Sequence, residues 1–183
     1  VVVGGDGTVH LGLDVVATTH VPLGIVAVGT GNDIARHLGL PSRDVAAAVG
    51  VVDTALRGSG RIARLDAIHA TRPDGSPVSA EHEWSLAVVS AGLDAAVNAR
   101  AHTLAWPSGE GRYLRAVVGE LVSLAPYGYR ITTDSGAWEG AALLVAVANT
   151  RYIGGGMDLS PGADAADGRL DVLRLDPVGR VRL

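Results

Sequence analysis

The sequence predicts an α/β unit followed by an antiparallel, sandwich-like β-rich unit that also carries helices. Three observations lead there. Over residues 1–60, short apolar runs of strand character alternate with segments whose apolar residues recur at helical spacing, the pattern of a parallel layer covered by helices. Beyond Gly60, strand-like runs are separated by turn chemistry, which fits antiparallel pairing. A chain of 183 residues that is 48% hydrophobic and 19% charged can bury a core, and intrinsic disorder is excluded.

Val1–Val3 is the first expected strand, and Gly4-Gly5-Asp6-Gly7-Thr8 follows it directly. Val9, Leu13 and Val16 then mark a helix over Val9–Ala17, with Asp6 or Thr8 as a candidate cap. Pro22 precedes a second strand, Leu23–Val28. Thr30-Gly31-Asn32-Asp33 opens a helix that Gly39 and Pro41 stop, and Ser42 stands where it can cap a third helix running to Val52. In the second half, Arg61–Ala70 and Glu83–Ser90 read as strands flanking the turn Pro73-Asp74-Gly75-Ser76. Helices are expected over Leu93–Thr103 and Arg112–Leu124. A hairpin is expected to pair Tyr129–Thr133 with Ala142–Ala148 across Asp134-Ser135-Gly136, and Arg169–Leu175 is the last strand. The units are expected to divide near Gly58–Gly60, as residues 1–60 and 61–183.

Composition removes several classes of function. With no Cys there is no disulfide framework and no thiolate metal site, so a cytoplasmic setting is expected. Asp and Glu number 19 against 15 Lys and Arg, and aromatics are 4%, so the basic field and stacking platforms of a nucleic-acid binder are missing. Apolar runs such as Ala141–Ala148 fall far short of the ~20 residues of a spanning helix, so any membrane contact is expected to be peripheral.

A glycine-rich turn between strand and helix points unpaired N–H groups outward at the positive end of the helix dipole. Gly4, Gly5, Asp6, Gly7 and Thr8 form one such candidate phosphate cradle; a plain tight turn is the competing reading. It is neither a Walker loop, since no Lys follows, nor a dinucleotide fingerprint. Gly29-Thr30-Gly31-Asn32-Asp33 repeats the device, and two such turns at the carboxyl ends of parallel strands face one crevice, where open α/β sheets bind ligands. An acid in each turn, Asp6 and Asp33, suits a magnesium ion held through water beside phosphates. Helix capping shared with Asn32 is the competing reading for Asp33.

These segments, with Pro22-Leu23-Gly24 and Ile34-Ala35-Arg36, resemble the catalytic domain of the diacylglycerol and lipid kinases, a superfamily that includes sphingosine kinases and bacterial lipid kinases. The resemblance continues through Leu65-Asp66, Ala91-Gly92-Leu93-Asp94-Ala95, Gly111-Arg112-Tyr113-Leu114, Asn149, Gly154-Gly155-Gly156, Pro161 and Asp167-Gly168-Arg169-Leu170-Asp171-Val172, so it covers nearly the whole chain. It implies a Rossmann-like, NAD kinase-like nucleotide domain and a β-sandwich, with ATP and a lipid such as diacylglycerol meeting between them. It also implies that Gly4 to Thr8, Gly29, Thr30 and Asn32 contact ATP, that Asp6, Asp33 and Asp66 belong to an acidic network around water-bound Mg2+, and that Asp167 accepts the proton of the lipid hydroxyl. Family members carry Glu where this chain has Leu11, and they have strands before the position of Val1 and after that of Leu183. The chain is therefore expected to be a core fragment, with an incomplete α/β domain and a second domain incomplete at its C-terminal end, and activity is expected of the parent protein. A homodimer is carried as a further expectation.

Read without the family, Asp167-Gly168 is common turn chemistry, Asp66 is equally a solvated edge charge, and Asp171 is a weaker second candidate base. His10, His20, His37, His69, His82 and His102 show no metal-ligand spacing, and Glu81-His82-Glu83 reads as a solvated hairpin. Trp84, Trp106 and Trp138 fit packing better than a lipid cleft, and Arg57, Arg61 and Arg64 fit a solvated face better than a headgroup site. The rival readings are a sphingoid or ceramide kinase, an NAD kinase sharing the opening loop, and a non-catalytic nucleotide- or lipid-binding module.

Overall fold

A computed structural model describes residues 1–78, 83–92 and 126–177. The helices expected over Leu93–Thr103 and Arg112–Leu124 lie outside the described residues, as do Glu81, His82, His102 and Trp106. The chain forms two compact units, Val1–Val89 with Ala148–Asp171, and Ser90–Val147 with Val172–Leu183. The first unit thus takes in a late segment of chain as well as the early one, a division drawn differently from 1–60 and 61–183.

In the first unit, β1 (Val2–Gly4) runs parallel to β2 (Ile25–Ala27), with Val2 opposite Ile25 and Gly4 opposite Ala27. Helix α1 (Asp6–Val16) follows β1 after the single residue Gly5. It starts earlier than its apolar spacing suggested, because the glycine turn itself winds into the first helical turn. Helices α2 (Asp33–His37) and α3 (Val45–Leu56) follow β2. Asp44 caps α3 by accepting the Ala47 N–H at 3.0 Å. The cap expected of Ser42 is not formed, because the Ser42 hydroxyl instead accepts a hydrogen bond from the Asn32 amide. Val9, Leu13, Ile34 and Leu86 form the buried cluster, with Val2, Leu23, Ile25, Leu38 and Trp84 packed on it. The spacing of Val9 and Leu13 places one face of α1 on this cluster, and full burial of a side chain such as Ile34 contributes about 1.5–3 kcal/mol.

The long strands expected over Arg61–Ala70 and Glu83–Ser90 shrink to β3 (Ile68–His69), paired antiparallel with β4 (Trp84–Ser85), and to β5 (Val88–Gly92). The His69 ring stacks on Trp84 with centroids 4.2 Å apart, and its Nε2 lies 2.6 Å from Glu83. Late in the chain, β9 (Tyr152–Ile153) pairs with β10 (Met157–Asp158) around the Gly154-Gly155-Gly156 turn. All three glycines there have positive φ, a conformation that side chains disfavour.

In the second unit, β6 (Tyr127–Thr133) pairs antiparallel with β7 (Gly136–Ala142), and Thr133 sits opposite Gly136 across a two-residue turn. This corrects the expected partner of Tyr129–Thr133. The apolar run that had looked like that partner is a separate strand, β8 (Leu144–Ala148), central in a three-stranded sheet of order β11–β8–β5, where β11 is Asp171–Leu175. A two-residue connection fixes the hairpin register by itself, which frees the more apolar strand for a place between two neighbours. Trp138 faces the Arg174 guanidinium at 4.1 Å.

Candidate functional site

The parallel register brings the carboxyl ends of β1 and β2 side by side, and the Val28 N–H donates to the Gly4 carbonyl at 3.0 Å just beyond the ladder. The two glycine turns therefore touch. A Cβ on Gly29 would lie 2.4 Å from the Gly5 Cα, and one on Gly5 would lie 3.2 Å from the Gly29 Cα, so the contact is backbone against backbone. A Cβ on Gly4 would meet the Thr8 hydroxyl at 2.2 Å, which is why that turn begins on glycine as well. The N–H groups of Thr8 and Val9 turn back to the Gly5 carbonyl, leaving those of Asp6 and Gly7 at the open end of α1. Gly7 and Thr30 are exposed.

Neither acid caps its own helix as the sequence suggested. Gly5 is the N-cap of α1 and no side chain caps it. The Asp6 carboxylate instead reaches the other turn, where Oδ2 accepts the Asp33 N–H at 3.1 Å and Oδ1 accepts the Ile34 N–H at 3.0 Å. Asp6 is thus the cap of α2, supplied from the first turn, with its negative charge at the positive end of that helix. The formal N-cap residue, Asn32, is left-handed with φ 54°, and its amide donates to the Gly29 carbonyl at 2.8 Å and to Ser42 Oγ at 3.0 Å, closing the second turn. Asn is among the few residues that occupy this conformation cheaply.

Asp33 is 6% exposed. Its charge is compensated on both sides: Arg36 Nη1 donates to Oδ1 at 2.5 Å, and the Gly155 N–H donates to Oδ2 at 2.7 Å. A side chain at Gly31 would start 3.2 Å from Asp6 Oδ2, 3.6 Å from Gly155 Cα and 3.7 Å from Asp33 Oδ2. Three glycine loops and two acids therefore converge on one glycine. Behind them, His37 Nδ1 accepts the Arg151 N–H at 3.2 Å, and Arg36 and Arg151 both lie over the Tyr152 ring.

Asp66 joins a second group in the same unit. Its N–H donates to the Ala165 carbonyl at 2.7 Å, its Oδ2 accepts the Gly168 N–H at 2.7 Å, and its carbonyl accepts the Asn149 amide at 2.8 Å. Asn149, 1% exposed, also donates to the Leu86 carbonyl at 2.9 Å. Asp167 is exposed, and its Oδ1 accepts the Arg169 N–H at 2.9 Å, an Asx turn. Asp171 accepts the hydroxyl of the buried Ser160 at 2.8 Å.

The sequence-predicted residues thus fall into two sets: Gly4, Gly5, Asp6, Gly7, Thr8, Gly29, Thr30, Asn32 and Asp33 on the touching turns, and Asp66 with Asp167 around Gly168. Among the described residues, no group of three or more His, Asp or Glu stands close enough to hold a metal ion directly. Both oxygens of Asp6 and of Asp33 already accept N–H groups. This donor set does not fit a carboxylate cage; it fits an ion held through water whose direct ligands are phosphates. Sequence reasoning missed Arg36, Asn149 and Gly155 as site-building residues. The signals for Arg36 and Gly155 were present in the Arg at the third position after Asp33 and in the triple glycine.

A parallel strand pair with touching glycine turns, in a chain that also carries antiparallel sheets, defines a NAD kinase-like α/β fold with a β-sandwich-like part. Residues 1–65 match the family model of the diacylglycerol kinase catalytic domain, and residues 87–183 match that of the YegS C-terminal NAD kinase beta sandwich-like domain. The chain belongs to this diacylglycerol kinase and YegS-like lipid kinase family. It is 37% identical over 183 residues to a diacylglycerol kinase of Mycobacterium tuberculosis, covering 100% of this chain and 56% of that protein. It is 27% identical over 178 residues to a diacylglycerol kinase of Bacillus subtilis, covering 94% and 53% respectively. A crystal structure of a diacylglycerol kinase from Bacillus anthracis superposes with a TM-score of 0.68 at 26% identity, covering 98% of this chain and 54% of the other. The chain spans about half the length of the curated relatives it matches. Among the described residues, no helix is long and apolar enough to cross a membrane.

Proposed function

We propose that this chain is the core of an ATP-dependent lipid kinase that phosphorylates a lipid hydroxyl, with diacylglycerol as acceptor and phosphatidic acid as product. The observation that carries this reading is the backbone contact of the Gly5 and Gly29 turns at the carboxyl ends of two parallel strands, beside the N-terminal end of α1. Gly4 to Thr8, with Gly29, Thr30 and Asn32, surround the ATP phosphates. The lipid oxygen attacks the γ-phosphorus, the bond to the bridging oxygen breaks and ADP leaves, and the hydroxyl proton passes to the Asp167 carboxylate. Phosphoryl transfer asks little more of a protein than positioning and charge compensation, and an exposed carboxylate suffices as proton acceptor. Asp6 and Asp33 would hold Mg2+ through water, and the ion would supply charge compensation for the nucleotide phosphates. Because the acceptor resides in a bilayer, the protein works at a membrane surface through peripheral contact.

The test is a mixed-micelle assay on the full-length protein with γ-labelled ATP, magnesium, a panel of lipids and NAD. Label is expected in phosphatidic acid and lost in a folded Asp167→Asn variant, by about 10²-fold or more for removal of a general base. Label in a sphingoid or ceramide phosphate would move the acceptor. Label in NADP, or ATP binding without any product, would overturn the lipid-kinase reading.

A further inference from the structure

We infer that Asp66 is the positioning residue of the turn that carries Asp167, acting as a hydrogen-bond acceptor through Oδ2; the inference rests on the reading of Asp167 as proton acceptor. The turn Ala165–Gly168 is fastened to Asp66 on both flanks of Asp167. On one side the Asp66 N–H holds the Ala165 carbonyl at 2.7 Å, and on the other its carboxylate holds the Gly168 N–H at 2.7 Å. Gly168 has φ +74°, so the turn needs glycine next to the acid, and that glycine presents its N–H to Asp66. Asp66 is held in turn, because the buried Asn149 amide bridges its carbonyl and that of Leu86. The base itself is exposed, with local bonds alone: its carboxylate accepts the Arg169 N–H and its own N–H donates to the Asp164 carbonyl at 3.4 Å. The two bonds from Asp66 reach across from a distant part of the chain to fix where Asp167 stands, and a general base is effective only within hydrogen-bond reach of its proton.

This assignment differs from a metal-network role in what it demands of the side chain. Acceptance of an N–H needs an oxygen, which Asn supplies, whereas attraction of a cation needs the charge, which Asn lacks. The experiment compares wild type, Asp66→Asn and Asp66→Ala in the full-length protein. It measures kcat and KM for ATP, the magnesium concentration for half-maximal rate, and Gly168 amide exchange in the absence of nucleotide. For Asp66→Ala, kcat is expected to fall about tenfold or more with KM for ATP within about twofold, and Gly168 exchange to rise about tenfold, as loss of one hydrogen bond implies. Asp66→Asn is expected to restore both to within about threefold of wild type, with the magnesium requirement unchanged. An Asn variant as impaired as the Ala variant, with a raised magnesium requirement and unaltered Gly168 exchange, would overturn the clasp in favour of the metal network. If Asp66→Ala fails to fold, the Asn variant decides alone: retained Gly168 protection and kcat support the clasp, and loss of either overturns it. If the wild type phosphorylates no lipid, the functional reading falls by itself, and Gly168 exchange still tests the clasp.

Discussion

His37 stands at the end of α2 with its Nδ1 accepting the Arg151 N–H, an arrangement that only an unprotonated Nδ1 permits. Desolvation holds its pKa below the ordinary value of about 6.5, the Arg151 charge adds to that depression, and Asp164 opposes it. A depressed folded-state value means that the unfolded chain binds the proton first as pH falls. The contribution of His37 to stability is therefore complete above pH about 6.5 and is lost as pH falls from there through the depressed folded value. Asn offers an acceptor oxygen near the position of Nδ1 and does not titrate. Urea midpoints taken from pH 7.5 to 5 should accordingly decline less steeply in His37→Asn than in the wild type; parallel curves for the two proteins would show that His37 takes no part in the acid limb. In the neighbouring pair Arg151–Asp158, the mutual hydrogen bond is the chief cause that raises the Arg151 pKa and lowers that of Asp158, holding each group in its charged form.

Between elements, the decisive bonds are those of Asp6, because one carboxylate ties the start of α1 to the start of α2. Its removal in Asp6→Ala strands the Asp33 and Ile34 N–H groups at partly buried positions, at a cost of about 1–3 kcal/mol for each unsatisfied group. A urea denaturation series should show the midpoint of Asp6→Ala falling well below that of Gly7→Ala, whose Cβ would meet nothing within 4 Å. Equal midpoints would mean that α2 finds another cap. The same bonds explain what was legible in the sequence and what was not. Glycine followed by an acid at two strand ends, and apolar spacing along α1, were local signals, and the parallel strands and glycine turns stand where those signals put them. Which helix an acid caps is not local: Asp6 serves a helix 27 residues further on, and Asn32 serves Ser42. Likewise the hydropathy of Ala142–Ala148 made it look like the partner of Tyr129–Thr133, whereas the two-residue turn gave that place to Gly136–Ala142. Local chemistry fixes turns and periods; competition among equally suitable partners is settled by packing, which a linear reading does not contain.

At the scale of the whole molecule, the first compact unit is assembled from two separated stretches, Val1–Val89 and Ala148–Asp171. The composition shift near Gly60 could be read along the chain, but the return of the late stretch could not. That return supplies partners that the early stretch lacks by itself. Gly155 gives Asp33 the N–H on Oδ2, Gly168 gives Asp66 the N–H on its Oδ2, Ala165 accepts from Asp66, and Asn149 satisfies the Leu86 and Ala87 carbonyls. Several of these groups are buried or half-buried, and a buried polar group left without a partner costs about 1–3 kcal/mol, so losing them together is comparable to the roughly 5–15 kcal/mol that stabilises a typical domain. Residues 1–89 alone should therefore show no cooperative thermal transition by far-ultraviolet circular dichroism. The same residues joined by a flexible Gly/Ser linker to residues 148–171 should regain one, with the Gly155 and Gly168 amides protected from exchange. A cooperative transition of 1–89 alone, at the midpoint of the linked chain, would show that the early stretch closes its own core and that Asp33 and Asp66 are satisfied without the returning loops. The linked chain also separates folding from function, because it holds every residue assigned to the phosphate turns and to the Asp167 turn while lacking residues 90–147. ATP binding by it, measured by calorimetry, would place the nucleotide-binding determinants within the first unit, and folding without ATP binding would place at least one of them outside.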